Sequence, residues 1–231
     1  MKKCYILLPG WGFSSQVFSS LNRDCFLHRY VDLPMEFKSQ EDMIYQLAKK
    51  IPNESDVIAW SLSGVLSLMI LELFPNKINS LVITSSTPYF SSNNTWHGVS
   101  EKSKQKLYNT FQNKGPIEFR DYFLDLICFR ETSFLSRKYL AKFCKFESKY
   151  MKSNAIYLEL LFNKDMRIIS HQYKHRITYI LGSRDYIIPL QTAKQLSLHN
   201  KVRIINGAGH CPFISHKDDF LDIIREKHDW G

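Results

Sequence analysis

Short apolar runs alternate with helix-forming stretches at both ends of this chain, and no other feature limits its fold so tightly. Residues 4–8 (CYILL) stop at Pro9-Gly10, as a buried parallel strand does. Residues 28–34 (HRYVDLP) give a second strand signal, closed by Pro34. SQEDMIYQLAKKI follows, with Ser39 placed to cap a helix whose Met43, Leu47 and Ile51 recur at helical spacing. Next come a strand at 56–60 (DVIAW), a helix apolar nearly all round at 63–74 and a strand at 78–86. The rhythm breaks after Pro88. Residues 89–165 read as helices without clear strands, with loops at Asn93-Asn94 and Gly115-Pro116. It resumes with strands at 176–182 and 201–207 and helices at 188–198 and 217–228. There is no internal repeat or low-complexity tract.

Alternation of this kind predicts an α/β fold, a mostly parallel sheet with helices on both faces, because parallel strands need crossover connections. Residues 1–88 and 166–231 are expected to form the core, and 89–165 a helical cap inserted above the strands' C-terminal ends, where open α/β sheets hold ligands. A length of 231 residues suits one such domain with an insertion.

Composition excludes several classes. No apolar run approaches the roughly eighteen residues of a membrane span. The opening MKKCYILL is too short for a signal sequence and has no small-residue cleavage site, so it reads as a strand. Five scattered cysteines without a C-x-x-C pair point to reduced thiols in the cytoplasm and give no zinc pattern. The net charge of +9 calls for an acidic partner, but no nucleic-acid motif accompanies it. The charge is concentrated between Arg130 and Lys152, where seven basic residues face only Glu131 and Glu147. That run fits a docking surface or a merely solvated helix face.

The chemistry lies at three strand ends. Ser61 follows DVIAW and precedes a buried helix, Asp185 follows ITYILG, and His210 follows VRIING. A serine hydroxyl needs a general base within reach and an acid that fixes the base's tautomer. Serine, acid, histidine is the chain order of α/β-hydrolases, each at a strand's C-terminal end. The nucleophile turn there reads G-x-S-x-G, whereas Ala59 and Ser63 occupy the glycine positions here. Both side chains are small enough for a tight turn at modest strain. Two backbone N–H donors should face the developing oxyanion: Leu62, after the serine, and Trp11, in the Pro9-Gly10-Trp11-Gly12 loop.

Each residue also has a plainer role. Ser61 could only cap its helix, and Asp185 could only shape a turn. His216 competes with His210, but it lies in the approach to the last helix instead of directly after a strand. Asp165, Asp218 and Asp219 stand at helix starts, where acids are usual. The order and placement of the three together favour catalysis, over a non-catalytic basic binding module.

LLPGWG, VDLP, AWSLSG, SSTPYFSSNNTWHGV, GSRDYIIP and GAGHCPFISH together resemble the pimeloyl-[acyl-carrier protein] methyl ester esterases of biotin biosynthesis. The resemblance covers most of the chain and is weakest from about 125 to 175. It implies an α/β-hydrolase fold beginning at what would be the third strand. It also implies a carboxylesterase with Ser61 as nucleophile, Asp185 as acid, His210 as base, and Trp11 and Leu62 as oxyanion donors. No metal or organic cofactor is implied. Phe123, Leu124, Asp125, Leu126 and Ile127 (FLDLI) match the family's acyl-contacting cap stretch, so with Trp11, Ser61, Leu62 and His210 they would bind substrate. Acyl carrier protein would be the partner of a monomer, docked on Arg120, Lys138, Lys142 and Lys145, with no part for nucleic acid or membrane. A general short-chain esterase is the alternative. The sequence departs from the family in having Pro9 for the usual histidine and a glycine-poor elbow.

Overall fold

The structure is a computed structural model that describes residues 4–21, 27–129 and 134–226. Arg130 and Glu131, at the start of the basic run, lie outside these residues. Six strands pair in one parallel sheet: β1 (Cys4–Leu8), β2 (Leu27–Tyr30), β3 (Ser55–Trp60), β4 (Ile78–Thr84), β5 (Ile177–Gly182) and β6 (Lys201–Ile205). Their order is β2-β1-β3-β4-β5-β6. The inner strands β3 and β5 are buried along their whole length, as near-continuous apolar runs in a covered parallel sheet require.

The crossovers follow from local signals. In α1 (Gln40–Lys50) the Ser39 hydroxyl accepts from the Asp42 amide, and Lys49 and Lys50 close the last turn. Met43, Ile44 and Leu47 supply its buried face. Helix α2 (Leu62–Leu73) is buried from Leu62 to Leu71, which explains why it has no polar side. Helices α1, α2 and α7 (Arg167–Gln172) pack in one group. The turn at Ser15–Ser20, α9 (Pro212–Ser215) and α10 (Lys217–Glu226) pack in another, so both faces are covered. Helix α8 (Leu190–Ser197) carries β5 to β6.

Between β4 and β5 stand α3 (Glu101–Asn113), α4 (Pro116–Ile127), α5 (Phe134–Ala141) and α6 (Met151–Asn163), and the described residues there make only isolated bridges. The Met166 amide donates to the Pro88 carbonyl at 2.8 Å, so this segment leaves and rejoins the sheet at one place. It is also laced to the core loops. Lys145 N–H donates to the Gly12 carbonyl, Ser14 N–H to the Phe143 carbonyl, and the Tyr157 hydroxyl to the Pro34 carbonyl. No helix among the described residues is long and apolar enough to cross a membrane.

Candidate active site

β3 ends at Trp60 and α2 starts at Leu62, which leaves Ser61 alone to make the turn. Its φ of 54° lies in the left-handed region, which costs a non-glycine residue about 1–3 kcal/mol. The surroundings hold it there. Ser61 N–H donates to the Thr84 carbonyl on β4 (3.0 Å), and Gly64 N–H returns to the Ser61 carbonyl (2.9 Å). Ala59 and Ser63 are both fully buried. The glycine this elbow needs is Gly64, where a Cβ would stand 2.5 Å from Ser86 Oγ and 2.8 Å from Ile83 Cγ2. Helix α2 can lie this close to β4 only without that side chain.

The other two strand ends converge on the same point. Asp185 follows β5 and His210 follows β6. His210 Nδ1 lies 2.9 Å and 3.1 Å from the Asp185 carboxylate oxygens, and its Nε2 lies 3.1 Å from Ser61 Oγ. The carboxylate also accepts from the Ile187 amide (2.8 Å) and the Ile188 amide (3.0 Å), and its side chain is wholly enclosed. A buried carboxylate facing Nδ1 fixes the proton there and leaves Nε2 to accept from the serine hydroxyl. Such a chain can draw a proton from Ser61 as its oxygen attacks an electrophilic carbon. His216 is elsewhere, beside Ser215 Oγ, and Asp165 is paired with Arg167.

The loop after β1 arches over the serine. Phe13 N–H closes a turn onto the Gly10 carbonyl, with Gly12 at φ 72° in the position a type II turn reserves for glycine. Gly10 lies against Trp60, where a Cβ would come within 2.9 Å of the indole. Leu62 is the first residue of α2, so its amide has no acceptor within the helix.

Above Ser61 is an apolar cavity of about 320 Å³. Trp11, Phe90, Val99, Leu107, Phe123 and Leu126 form much of its wall. The contiguous FLDLI stretch divides by helix geometry. Phe123 and Leu126, three apart on α4, face the cavity. Leu124 and Ile127 are buried in the core away from it, contrary to the sequence expectation. Asp125 points outward and pairs with Arg137 at 2.6 Å, so it does not line the site either. Leu62 and His210 do not line the apolar wall; His210 meets the cavity through Ser61, 3.1 Å from its Nε2. The sequence reading missed Phe90, Val99, Leu107, Tyr122 and Tyr186. Tyr122, the i−4 neighbour of Leu126, and Leu107, the i−4 neighbour of Phe111 on α3, carried a helical signal; the loop residues Phe90, Val99 and Tyr186 have no periodicity.

The docking candidates differ in availability. Lys138 and Lys142 are exposed. Arg120 pairs with Asp121 at 3.1 Å. Lys145 is engaged within the fold: its ammonium sits 2.9 Å from Asp32 Oδ2, which ties the inserted segment to the end of β2. Burial alone would raise the Asp32 carboxyl, but the Ser15 amide, Lys145 and the Ser15 hydroxyl together hold it below the usual carboxylate range. Among the described residues no cluster of three or more His, Cys, Asp or Glu could hold a metal.

No protein-family model matches the chain. The pimeloyl-[acyl-carrier protein] methyl ester esterase of Wigglesworthia glossinidia brevipalpis is 28% identical over 95% of this chain and 91% of its own length. That of Pseudoalteromonas atlantica is 26% identical over 96% and 93%. Among solved structures, a hydrolase from Oleispira antarctica superposes with a TM-score of 0.82 at 12% identity, covering 100% of this chain and 92% of its own. An esterase from Exiguobacterium antarcticum gives 0.78 at 15% identity, over 97% and 91%. By its fold the chain has α/β-hydrolase architecture, and along its length it is similar to the pimeloyl-[acyl-carrier protein] methyl ester esterases.

Proposed function

We propose that this chain hydrolyses the methyl ester of a pimeloyl group carried on acyl carrier protein, giving the free carboxylate and methanol in biotin biosynthesis. The observation that carries the reading is the hydrogen-bonded chain from Asp185 through His210 to Ser61 at the floor of an apolar cavity. Ser61 Oγ bonds to the ester carbon while His210 Nε2 takes its proton. The oxyanion rests on the Trp11 and Leu62 amides. Collapse of the adduct expels the methoxy group, which leaves as methanol with the proton from His210. Water, deprotonated by His210, then attacks the acyl-enzyme, releases the carboxylate and restores Ser61. The apolar wall suits an acyl chain, and residues 89–165 act as the cap that covers it. Exposed Lys138 and Lys142 are the cations available to an acidic carrier.

The test is methanol release from the carrier-borne methyl ester by wild type, Ser61→Ala and the double charge reversal Lys138→Glu/Lys142→Glu. Loss of turnover in the serine variant, and a raised KM for the carrier-borne ester alone in the reversal, are expected. A carrier-borne ester cleaved no better than a free short-chain ester would leave a general esterase. No turnover of either ester would overturn the reading.

A further inference from the structure

We propose that Ser63 is a positioning residue whose hydroxyl sets the spacing between the two oxyanion donors; the proposal rests on the esterase reading above. Ser63 occupies a position that the elbow pattern gives to glycine. It sits in the first turn of α2 with no exposed surface, and its Oγ donates to the carbonyl of Pro9, 54 residues away. That bond joins two segments that each carry one donor. Leu62 is the residue before Ser63, and Trp11 is two residues beyond Pro9.

The loop is otherwise held from the cap side. Trp11 Nε1 donates to the Asn154 carbonyl at 3.0 Å, and Lys145 N–H donates to the Gly12 carbonyl at 2.7 Å. Those bonds tie the loop to an inserted segment; towards the elbow the β1–β3 ladder ends at Leu8 and Ala59, and beyond it the loop packs on Trp60. Proline at position 9 has no amide hydrogen and a fixed φ, so its carbonyl is the group this residue can offer the elbow. Ser63 takes it. A glycine at 63 would leave the two segments, past the last ladder pair Leu8–Ala59, linked only through packing. Oxyanion donors must stand about 2.7–3.1 Å from the charge, and an error of about 1 Å can cost a hundredfold in rate.

The experiment compares wild type, Ser63→Ala and Ser63→Gly on the carrier-borne methyl ester and on a nitrophenyl ester. It adds the affinity for an alkyl boronic acid, which forms a tetrahedral adduct on the serine, and thermal melting. In both variants kcat should fall about tenfold, less than the hundredfold or more that follows outright loss of a donor. KM should stay within about twofold and boronate affinity should weaken by the same factor as kcat, while the melting temperature should drop only by the few degrees that an unpartnered Pro9 carbonyl costs, leaving both variants folded at the assay temperature. Unchanged kcat and boronate affinity would overturn the proposal, as would losses that merely track unfolding. Labelling of wild-type Ser61 by a fluorophosphonate separates the two readings. If Ser61 is labelled and the Ser63 variants keep full kcat, only the tether falls; if wild type neither labels nor cleaves any ester, both fall.

Discussion

Trp60 Nε1 donates to the carbonyl of His210 at 2.9 Å, so the residue just before the serine holds the backbone of the residue that carries the base. The two rings also pack, with centroids 5.9 Å apart. Trp60 therefore touches His210 through both its backbone carbonyl and its ring.

Trp60→Phe keeps most of the ring and deletes the donor. It leaves a buried carbonyl without this partner, which costs about 1–3 kcal/mol. Urea unfolding should register that loss. The freed His210 backbone should also lower kcat by about tenfold with little change in KM, since only a transition-state geometry is disturbed. Unchanged kcat alongside lowered stability would confine Trp60 to packing.

Asp185 accepts from two backbone amides as well as from His210, and this sets the outcome of Asp185→Asn. The amide oxygen of asparagine can still accept from Ile187 and Ile188, so the turn before α8 should persist. Its NH2 group would then face Nδ1 and favour the wrong imidazole tautomer. A kcat reduced by about 10⁴ with an unchanged melting temperature is expected. Fluorophosphonate labelling should slow in parallel, because the serine loses its base.

The sheet and the three residues of the hydrogen-bonded chain were legible because each is a local signal. An apolar run ends, and Ser61, Asp185 and His210 follow such ends within five residues. The elbow was legible in place but not in cause: the pattern directs attention to positions 59 and 63, while the close contact with β4 falls on Gly64. Helix α4 shows a different limit. FLDLI read as a contiguous stretch puts five residues on one site, whereas a helix turns only Phe123 and Leu126 towards the cavity. Lys145 looked like any other cation of its run because its partner, Asp32, lies 113 residues away. Such long-range pairings leave no periodic trace.

That pairing predicts a pH effect. Asp32 is held below the usual carboxylate range in the folded protein, so the unfolded chain protonates first as acid is added. The stabilisation is present above the unfolded value of about 4 and is lost as pH falls through the lower folded value. The side chain is 43% exposed, so solvent screening keeps the contribution below about 1 kcal/mol. Melting curves from about pH 6 down to about pH 3 should fall less steeply for Asp32→Asn than for wild type. Equal slopes would show that Lys145 and Ser15 leave the acid limb untouched.

The split within α4 gives the sharpest mutational contrast, because adjacent residues should fail in different ways. Phe123 lines the cavity and packs edge-on against Trp11 with ring centroids 5.0 Å apart. Phe123→Ala widens the acyl site, and KM for the pimeloyl ester should rise several-fold as apolar contact is lost at about 25 cal/mol per Å². Leu124 is fully buried on the other side of the helix. Leu124→Ala leaves a hole in the core and should cost about 2–5 kcal/mol of stability. Its KM should stay near wild type at temperatures where the variant is folded. Kinetics across a series of acyl lengths, paired with denaturant melts, separates the two. A KM effect equal in both variants would mean that α4 acts on substrate as a unit, and the helical division of FLDLI would not govern recognition.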